Sequence, residues 1–411
     1  MEEQFDFVIV GAGPAGANCA FELRNRAPDS RIALITAEPE YPYDRVPLSK
    51  EYLRGELPKE KLFFREPGFY AQNGIRVLHT RTVGRLDTRS RIVYLDRGDS
   101  LGYRKLLLAT GGTPKVLPVE GASLKNVFTL RTIRDSDAIR HALPELKNVM
   151  VIGGGFIGCE IASSLSMIGR SVQMVEVAEH LLPAAVDRST GEWLKSEFEA
   201  RGVTVHTKSG LARILGDDGR VNGVQLTSGE ILPAQAVVMG VGIAPNLSLA
   251  ENAGLKVDKG VVTDAYLRTS DPDIFAAGDI ARFYSPLFGR DMRVEHYDVA
   301  VKQGRTAAYN MTGAAKPFDA LPYFFSYIFD LKIHFYGDLS NRTVVIRRGG
   351  FDKAKGFMQF YLGGDMLEGV LAVNKKFPEI KEAKTLVEKR VHIKDPSILE
   401  DTTRLVGDLG L

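Results

Sequence analysis

The sequence predicts an α/β protein that consists of two similar α/β units and a smaller C-terminal α+β unit. The similar units are predicted because an apolar run leads into a glycine-rich turn at Gly11–Gly16, and the same arrangement returns at Gly153–Gly158. The smaller unit is predicted after Phe318, where a segment rich in aromatic residues precedes alternating strand patterns and a polar helix near Phe377–Lys389. A chain of 411 residues is long enough for two or three domains.

The first glycine turn has the spacing G-x-G-x-x-G between an apolar strand, Phe5–Val10, and a helical pattern. Gly11 permits a tight turn, Gly13 lets the backbone approach a pyrophosphate, and Gly16 lets the helix pack against its strand. The N–H groups and the positive end of the helix dipole favour an anion at this point. The turn therefore predicts a dinucleotide site of Rossmann type.

An acidic residue is expected after the second strand of such a unit, where it can bind ribose hydroxyls. The first unit has Glu38 just beyond the apolar run Arg31–Ile35. The second unit, whose turn contains Gly153, Gly155 and Gly158, has Glu176 after Ser171–Val175. Two such units imply two dinucleotides, and hence a protein that passes electrons between two nucleotide cofactors.

The order of the elements predicts three domains, of which the first is discontinuous. Residues 1–113 and 247–317 form the first domain, residues 114–246 the second, and residues 318–411 the C-terminal α+β domain. The chain is expected to return to the first domain because Asp273–Asp279 reads as a short buried strand that ends in a carboxylate. Such an acid lies where open α/β sheets bind ligands, although Asp279 could instead cap a helix.

Two further strands end in small residues, at Gly111 and at Gly242. A strand that ends in this way lets the chain pass close to a flat cofactor, because glycine carries no side chain. We therefore predict that both glycines lie beside bound cofactors.

Composition excludes several classes of function. A formal net charge of +2 gives no basis for nucleic-acid binding, and 44% hydrophobic with 25% charged residues is normal for a globular protein. No membrane span and no metal site are predicted, and the expected location is the cytoplasm. Cys19 and Cys159 do not form a C-x-x-C motif, so a dithiol redox centre is not expected.

Lys50 follows a loop that two prolines make rigid, and a short helix is predicted to begin at Ser49. A lysine in the first turn of a helix opposes the helix dipole. The residue is therefore either a solvated surface lysine or a cation that points into a cofactor crevice.

Taken together, five motifs resemble the ferredoxin-reductase-like flavoproteins of the two-dinucleotide-binding class, which share a glutathione-reductase-like fold. That class includes NADH–ferredoxin and rubredoxin reductases, apoptosis-inducing factor and monodehydroascorbate reductase. The motifs occur in the family's order over essentially the whole chain: Gly11–Gly16, Arg45–Lys50, Leu107–Gly111, Gly153–Glu160 with Glu176, and Thr269–Asp279.

The resemblance implies FAD in the first domain and NAD(P)H in the second. It implies that Lys50 lies near the reactive edge of the flavin and pairs with Glu160, which orients the nicotinamide. A buried acid and base should be paired, which agrees with this assignment. Other cofactor-binding residues implied by the resemblance, besides the glycines and acids named above, are Arg45, Val83, Arg131, Asp279, Glu295, Tyr297 and Phe325.

Glu176 predicts NADH as the coenzyme. A carboxylate at this position binds the adenosine 2′-hydroxyl but repels the 2′-phosphate of NADPH. No arginine follows in Val177–His180 that could bind the 2′-phosphate of NADPH.

The resemblance thus implies an FAD-dependent NADH oxidoreductase that passes single electrons to a small acidic iron–sulfur carrier, ferredoxin or rubredoxin, as a monomer or homodimer. The family members that reduce peroxide or disulfides carry a reactive cysteine early in the FAD loop, where this chain has Tyr41, Tyr43 and Asp44. Monodehydroascorbate reductases have tyrosine and arginine where this chain has Phe325 and Val301. The segments Tyr323–Asp330 and Phe335–Asp338 nevertheless resemble the monodehydroascorbate reductases most, so a reductase of a small organic radical is the first alternative.

The second alternative is a redox-sensing binding protein that resembles apoptosis-inducing factor. The segment Val294–His296 favours this kinship.

Overall fold

The computed structural model describes residues 3–409, which fall into two compact units. The first unit contains the residues up to Asp44 together with Lys59–Thr113 and Ala244–Pro322. The second contains Arg45–Pro58, Pro114–Ile243 and the residues from Tyr323 onward. The three-domain division with the boundaries given above stays a prediction.

The first unit is built on a mixed sheet whose central strands are parallel. The strand Glu3–Val10 lies between Ile32–Ile35 and Ser100–Leu108, and all three run parallel. Outside them the sheet continues with Ile75–Leu78 on one side, and with Ile92–Leu95 and Val83–Asp87 on the other. The short strand Ile274–Ala276 also pairs in parallel with Ser100–Leu108, so the late return of the chain to this sheet is observed.

The other elements of this unit are a small sheet and several helices. The sheet has the order Val261–Thr263, Ala281–Ser285, Arg290–Arg293. The helices are Pro14–Arg26, Pro67–Gln72, Ser248–Asn252 and Tyr297–Met311, with a 3₁₀ turn at Lys59–Leu62. Two short strands, Gly112–Pro114 and Ile243–Pro245, lie at the points where the chain leaves and re-enters the unit.

The second unit contains a five-stranded sheet in which every pair of neighbours is parallel. Its order is Thr204–His206, Ser171–Val175, Asn148–Ile152, Ala236–Met239, Val127–Thr129. An antiparallel sheet of Leu211–Asp217, Arg220–Leu226 and Ile231–Pro233 is inserted in the chain between Thr204–His206 and Ala236–Met239. The helices of this part are Ile133–Ala142, Phe156–Met167 and Arg188–Glu199, with 3₁₀ turns at Val46–Ser49 and Leu143–Glu145.

The C-terminal part of the second unit is an antiparallel sheet with short helices. The sheet order is Tyr323–Ile328, Leu331–Gly337, Met366–Val373, Phe357–Gly363, Val344–Arg348. The helices are Phe377–Glu388 and Ser397–Glu400, with a 3₁₀ turn at Val406–Asp408. Buried side chains of this sheet, such as Phe335 and Tyr361, belong to the same hydrophobic core as Val151 and Leu165 of the parallel-sheet part. Burial of apolar side chains in one core fixes the two sheets against each other.

The prediction of a helix that begins at Ser49 was wrong. Residues Val46–Ser49 form a 3₁₀ turn instead, and the Lys50 N–H closes it by donating to the Pro47 carbonyl at 2.9 Å. Lys50 therefore follows the end of a turn rather than opening a helix, and at that end a cation is electrostatically favourable.

No helix among residues 3–409 is long and apolar enough to cross a membrane.

Candidate functional site

The first glycine turn has the backbone that its sequence predicts. Gly11 has a φ of +106°, a backbone conformation that residues other than glycine rarely adopt. A Cβ at Gly16 would lie 1.8 Å from the Gly11 carbonyl oxygen, whereas a Cβ at Gly13 would meet no atom within 4 Å. No side chain caps the helix Pro14–Arg26 that starts here. The turn thus leaves open space in front of a helix N-terminus, which fits the pyrophosphate of a dinucleotide.

Three of the predicted residues of the first unit follow the ends of neighbouring parallel strands. Gly11 follows Glu3–Val10, Gly111 follows Ser100–Leu108, and Asp279 follows Ile274–Ala276. Gly278 has a φ of +78°, and a Cβ there would lie 3.3 Å from the Ala15 Cβ. The chain therefore brings Asp279 to the start of the helix that carries the first glycine turn.

The remaining predicted residues of this unit have defined partners. Glu38 accepts a hydrogen bond from the Tyr43 hydroxyl, and Val83 begins a strand opposite Leu95. Arg293 pairs with Glu295 at 2.6 Å.

Tyr297 is the first residue of the helix Tyr297–Met311. Burial, with a smaller contribution from the charge of Asp44, raises the pKa of this tyrosine to about 12. The phenol therefore stays a neutral hydrogen-bonding group at physiological pH.

The second glycine turn repeats the geometry of the first. Gly153 has a φ of +105°, a Cβ at Gly158 would lie 1.9 Å from the Gly153 carbonyl oxygen, and a Cβ at Gly155 would meet nothing within 4 Å. This turn opens onto a cavity of about 420 Å³. Gly153, Gly155, Glu176 and Gly242, all predicted as cofactor-binding residues, line this cavity together.

Glu176 is buried, and its carboxylate is oriented by the backbone. Its Oε2 accepts the Gly154 N–H at 2.6 Å, and its Oε1 accepts the Ala178 N–H at 2.7 Å. A carboxylate has about four lone-pair sites, so two remain for ribose hydroxyls. Among the described residues that line the cavity, Glu176 is the one with a charged side chain, and no cation lines it to bind a 2′-phosphate.

Glu160 lies on the helix Phe156–Met167, whose first residue also lines this cavity. Its carboxylate forms an ion pair with Lys50, with 2.6 Å between Nζ and Oε2, and each residue is only 4% exposed. Two hydroxyls complete the arrangement: Ser49 Oγ donates to Oε2 at 2.5 Å and Ser326 Oγ donates to Oε1 at 2.6 Å. A buried carboxylate is stable only with such a set of partners.

The two cysteines are buried, and burial favours the protonated form of both thiols. Cys159, next to Glu160, is fully buried, and this burial, followed by the nearby negative charge of Glu160, raises its pKa well above the ordinary value. Burial likewise raises the pKa of Cys19. Both thiols are therefore protonated, whereas a reactive cysteine needs its thiolate form.

The other predicted residues of the second unit fall into two places. Arg45 donates from Nη1 to the Arg131 carbonyl at 2.7 Å, so these two residues are brought together. Phe325 is half-buried on the strand Tyr323–Ile328 and pairs across the sheet with His334. Burial, and then the charge of Lys332, lowers the pKa of His334, which favours the neutral imidazole.

Sequence reasoning did not find Ser49 and Ser326 as partners of Glu160. They lie 111 and 166 residues away from it in the chain. The one available signal was chemical: an acid inside an apolar helix needs more than one donor, and serine is a small donor that can be buried.

Residues 5–304 match the family model described as pyridine nucleotide-disulphide oxidoreductase, and residues 323–406 match the model described as reductase C-terminal. The chain is 36% identical over 335 residues to the 5,5'-dehydrodivanillate O-demethylase ferredoxin reductase subunit of Sphingobium sp., which covers 81% of each protein.

Two solved structures are similar over nearly the whole chain. One is the ferredoxin reductase for the CYP199A2 system from Rhodopseudomonas palustris, with a TM-score of 0.92, 34% identity and coverage of 99% of this chain and 100% of that one. The other is the covalent putidaredoxin reductase–putidaredoxin complex, with a TM-score of 0.93, 32% identity and coverage of 98% of each chain.

These matches confirm the predicted family, the α/β fold with a C-terminal α+β domain, the oxidoreductase class, and FAD and NAD(H) as cofactors. The role of each individual residue at those cofactors stays a prediction. The chain belongs to the pyridine nucleotide-disulphide oxidoreductase family, with a C-terminal reductase domain.

Proposed function

We propose that this protein is an FAD-dependent NADH oxidoreductase that delivers single electrons to a small acidic iron–sulfur carrier such as ferredoxin or rubredoxin. The observation that carries the proposal is the buried pair of Lys50 and Glu160. A buried ion pair adds little to stability compared with apolar residues of the same size. Glu160 lies on the helix that borders the nucleotide cavity, and the position of the pair beside this cavity therefore supports a role in the reaction.

The carrier is supported by the kinds of proteins to which this chain is similar. The similar proteins include ferredoxin reductases from Sphingobium sp. and Rhodopseudomonas palustris, and a reductase whose structure was solved in complex with putidaredoxin. The two solved structures are similar over 99% and 98% of this chain, so the proposal covers the whole chain and not only the nucleotide-binding part.

The division of labour between cofactors and protein follows from the residues present. When bound, FAD accepts a hydride from NADH and releases the two electrons singly to a one-electron acceptor. The glycine turns at Gly11–Gly16 and Gly153–Gly158 bind the two pyrophosphates through backbone N–H groups. Glu160 accepts hydrogen bonds from the nicotinamide amide and thereby orients the ring. Lys50 supplies the positive charge that stabilises negative charge next to it.

Glu176 selects NADH in this proposal. Its backbone hydrogen bonds keep the carboxylate at the cavity wall, where it binds the 2′-hydroxyl and repels a phosphate. The absence of a cation among the described lining residues supports the same choice.

Anaerobic stopped-flow mixing with NADH tests the assigned roles. We expect Lys50→Ala and Glu160→Ala each to slow flavin reduction roughly 100-fold, because each removes an oriented charge from a dry site. Lys59→Ala is the control, since that lysine is only partly buried and pairs with Glu40 at 2.9 Å. If both active-site variants reduce flavin at the wild-type rate, the roles of Lys50 and Glu160 are wrong.

The electron acceptor needs a separate assay. NADH oxidation should become coupled to cytochrome c reduction when a ferredoxin or a rubredoxin is added. If NADH reduces the flavin rapidly but neither carrier is reduced, the small-radical reductase or the redox-sensing protein is the better description.

A cytoplasmic location and a monomeric or homodimeric state are part of the proposal. Cell fractionation and sedimentation velocity test them.

A further inference from the structure

The buried carboxylate of Glu160 has a hydrogen-bond donor on each of its oxygens, from two segments that are remote in sequence. Ser49 and Lys50 reach Oε2, and Ser326 reaches Oε1. We propose that Ser49 and Ser326 are positioning residues that fix the plane of the Glu160 carboxylate for the nicotinamide, so that the C-terminal sheet takes part in the NADH step. This inference rests on the function proposed above.

A donor on each oxygen matters because the last torsion of glutamate is broad. Rotation about this bond moves both oxygens, so donors on both oxygens restrain the carboxylate plane more tightly than donors on one oxygen alone. Lys50 and Ser49 both act on Oε2 and restrain the plane from one side. Ser326, which is 1% exposed, donates to Oε1 and restrains it from the other.

The position of Ser326 is set by the packing of its strand. Phe324, two residues before Ser326 on the same strand, packs its ring on Phe156 at the start of the helix that carries Glu160, with 4.7 Å between ring centroids. Within the strand, the backbone of Ser326 pairs with Ile333 of the neighbouring strand. The hydroxyl is thus presented to Glu160 by a sheet rather than by a loop, which gives a defined distance.

The hydroxyl of Ser49 has one orientation that satisfies its neighbours. It lies 3.4 Å from Lys50 Nζ, which can only donate, so its own hydrogen is directed to Glu160. Its backbone is anchored as well, because its carbonyl accepts the Ser164 hydroxyl at 2.7 Å. Ser49 therefore links the lysine and the glutamate into one ordered group.

Ser163 offers a matched control for these serines. It is 2% exposed and lies on the same helix as Glu160, but its hydroxyl donates at 2.9 Å to the backbone carbonyl of Glu160 rather than to the carboxylate. Ser163→Ala removes a buried hydroxyl of the same size without touching the carboxylate oxygens.

The first measurement compares the limiting rate of flavin reduction with the dissociation constant for NADH, for the FAD-loaded proteins. We expect Ser326→Ala and Ser49→Ala to lower the limiting rate about 10-fold, since each loses one hydrogen bond to a charged group. The dissociation constant should change by less than the rate. Ser163→Ala should keep the wild-type rate, and Ser326→Thr, which retains a hydroxyl, should recover most of the loss.

The second measurement does not depend on turnover. The carboxylate stretch of Glu160 can be isolated as the infrared difference between the wild-type protein and Glu160→Gln, with ¹³C-labelled glutamate to confirm the band. Loss of the Ser326 hydroxyl should shift and broaden this band, because one oxygen loses its donor. Ser163→Ala should leave the band unchanged.

The outcomes separate the inference from the proposed function. Wild-type rates in Lys50→Ala and Glu160→Ala would refute the roles on which the inference rests. Slow rates in those variants, together with a rate and an infrared band in Ser326→Ala that match Ser163→Ala, would refute the positioning role alone. If Ser326→Ala does not retain FAD, Ser326→Cys decides: its weaker donor should give an intermediate rate, and a wild-type rate contradicts the inference.

Discussion

The two glycine turns have almost the same backbone, yet the helices that follow them bury different polar side chains with different partners. Gly11 and Gly153 have φ values of +106° and +105°. A Cβ at Gly16 or at Gly158 would clash in the same way with the carbonyl oxygen of the first glycine of its turn. The shared spacing thus dictates a shared shape, since only glycine fits where the helix crosses the turn closely.

The difference lies seven residues after the first glycine of each turn, at Asn18 and Glu160. The Asn18 amide donates to the Pro14 carbonyl of its own helix at 2.9 Å and accepts from Arg305 at 3.2 Å. The Glu160 carboxylate takes donors from two remote segments instead. A buried charge depends on its hydrogen-bond and ion-pair partners more than a neutral amide does, and this is the difference between the two helices.

The largest predicted effect comes from substitutions that the shared backbone of the two glycine turns cannot accommodate. Gly16→Ala and Gly158→Ala each place a methyl carbon within 2 Å of a carbonyl oxygen, 1.8 and 1.9 Å respectively. We expect each to lower the free energy of unfolding by more than about 4 kcal/mol, measured by urea denaturation. Gly13→Ala and Gly155→Ala are the controls, because a Cβ there meets no atom within 4 Å. If the controls lose as much stability as the other two, the close approach is not the reason for the glycines.

The second predicted effect comes from removing the cation that pairs with the Glu160 carboxylate in one unit and the cation that binds the neutral Asn18 amide in the other. Lys50→Met leaves a carboxylate buried without its cation and should cost about 3–5 kcal/mol of unfolding free energy. Arg305→Met removes both hydrogen bonds that Arg305 donates to the Asn18 amide oxygen and should cost about 1 kcal/mol, because the acceptor is neutral. Chemical denaturation of both variants measures the difference. Equal losses would show that Glu160 is no more dependent on its partners than Asn18.

The third effect concerns the acids that follow the second strand of each unit. Glu176→Gln should reduce the preference for NADH over NADPH about 10-fold in steady-state kcat/KM, because a repulsive charge worth roughly 1.4 kcal/mol is removed. Glu38→Gln, at the corresponding place in the first unit, should leave coenzyme preference unchanged and weaken FAD retention. Unaltered discrimination in Glu176→Gln would contradict the assignment.

The smallest predicted effect concerns Asn18, which occupies the position in the first helix that Glu160 occupies in the second. Asn18→Ala should lower the free energy of unfolding by about 1 kcal/mol through the lost hydrogen bonds. It should not change the rate of flavin reduction by NADH, measured by stopped flow. A slowed rate would mean that the first helix also acts in the chemical step.

Local patterns in the sequence were sufficient for the glycine turns, the strands before them and the return of the chain at Ile274–Ala276. They were not sufficient for Tyr323–Ile328 and Leu331–Gly337, which were described as an aromatic segment without strands. The turn between those strands has Phe329 at a φ of +54°, so the glycine or asparagine that normally signals a hairpin is missing.

Local sequence patterns were also sufficient for only part of the candidate site. The pairing of Glu160 with Lys50 could be predicted from motifs of the family. The predicted position of Lys50 in the first turn of a helix was wrong, because Val46–Ser49 form a 3₁₀ turn that ends at Lys50. Ser49 and Ser326 carry no local signal at all, since a serine that will bond a remote carboxylate looks like any other serine. Such contacts depend on tertiary packing, which sequence spacing does not encode.

The hydroxyl of Ser326 has a consequence for protein engineering. Exchange of C-terminal segments between reductases is an obvious way to change which carrier they serve. Because Ser326 is bonded to Glu160, a transplanted segment would also alter how the host handles its coenzyme. A chimaera that keeps a hydroxyl at this position should inherit only the new carrier preference, whereas one that lacks it would combine a new partner with a slower supply of electrons.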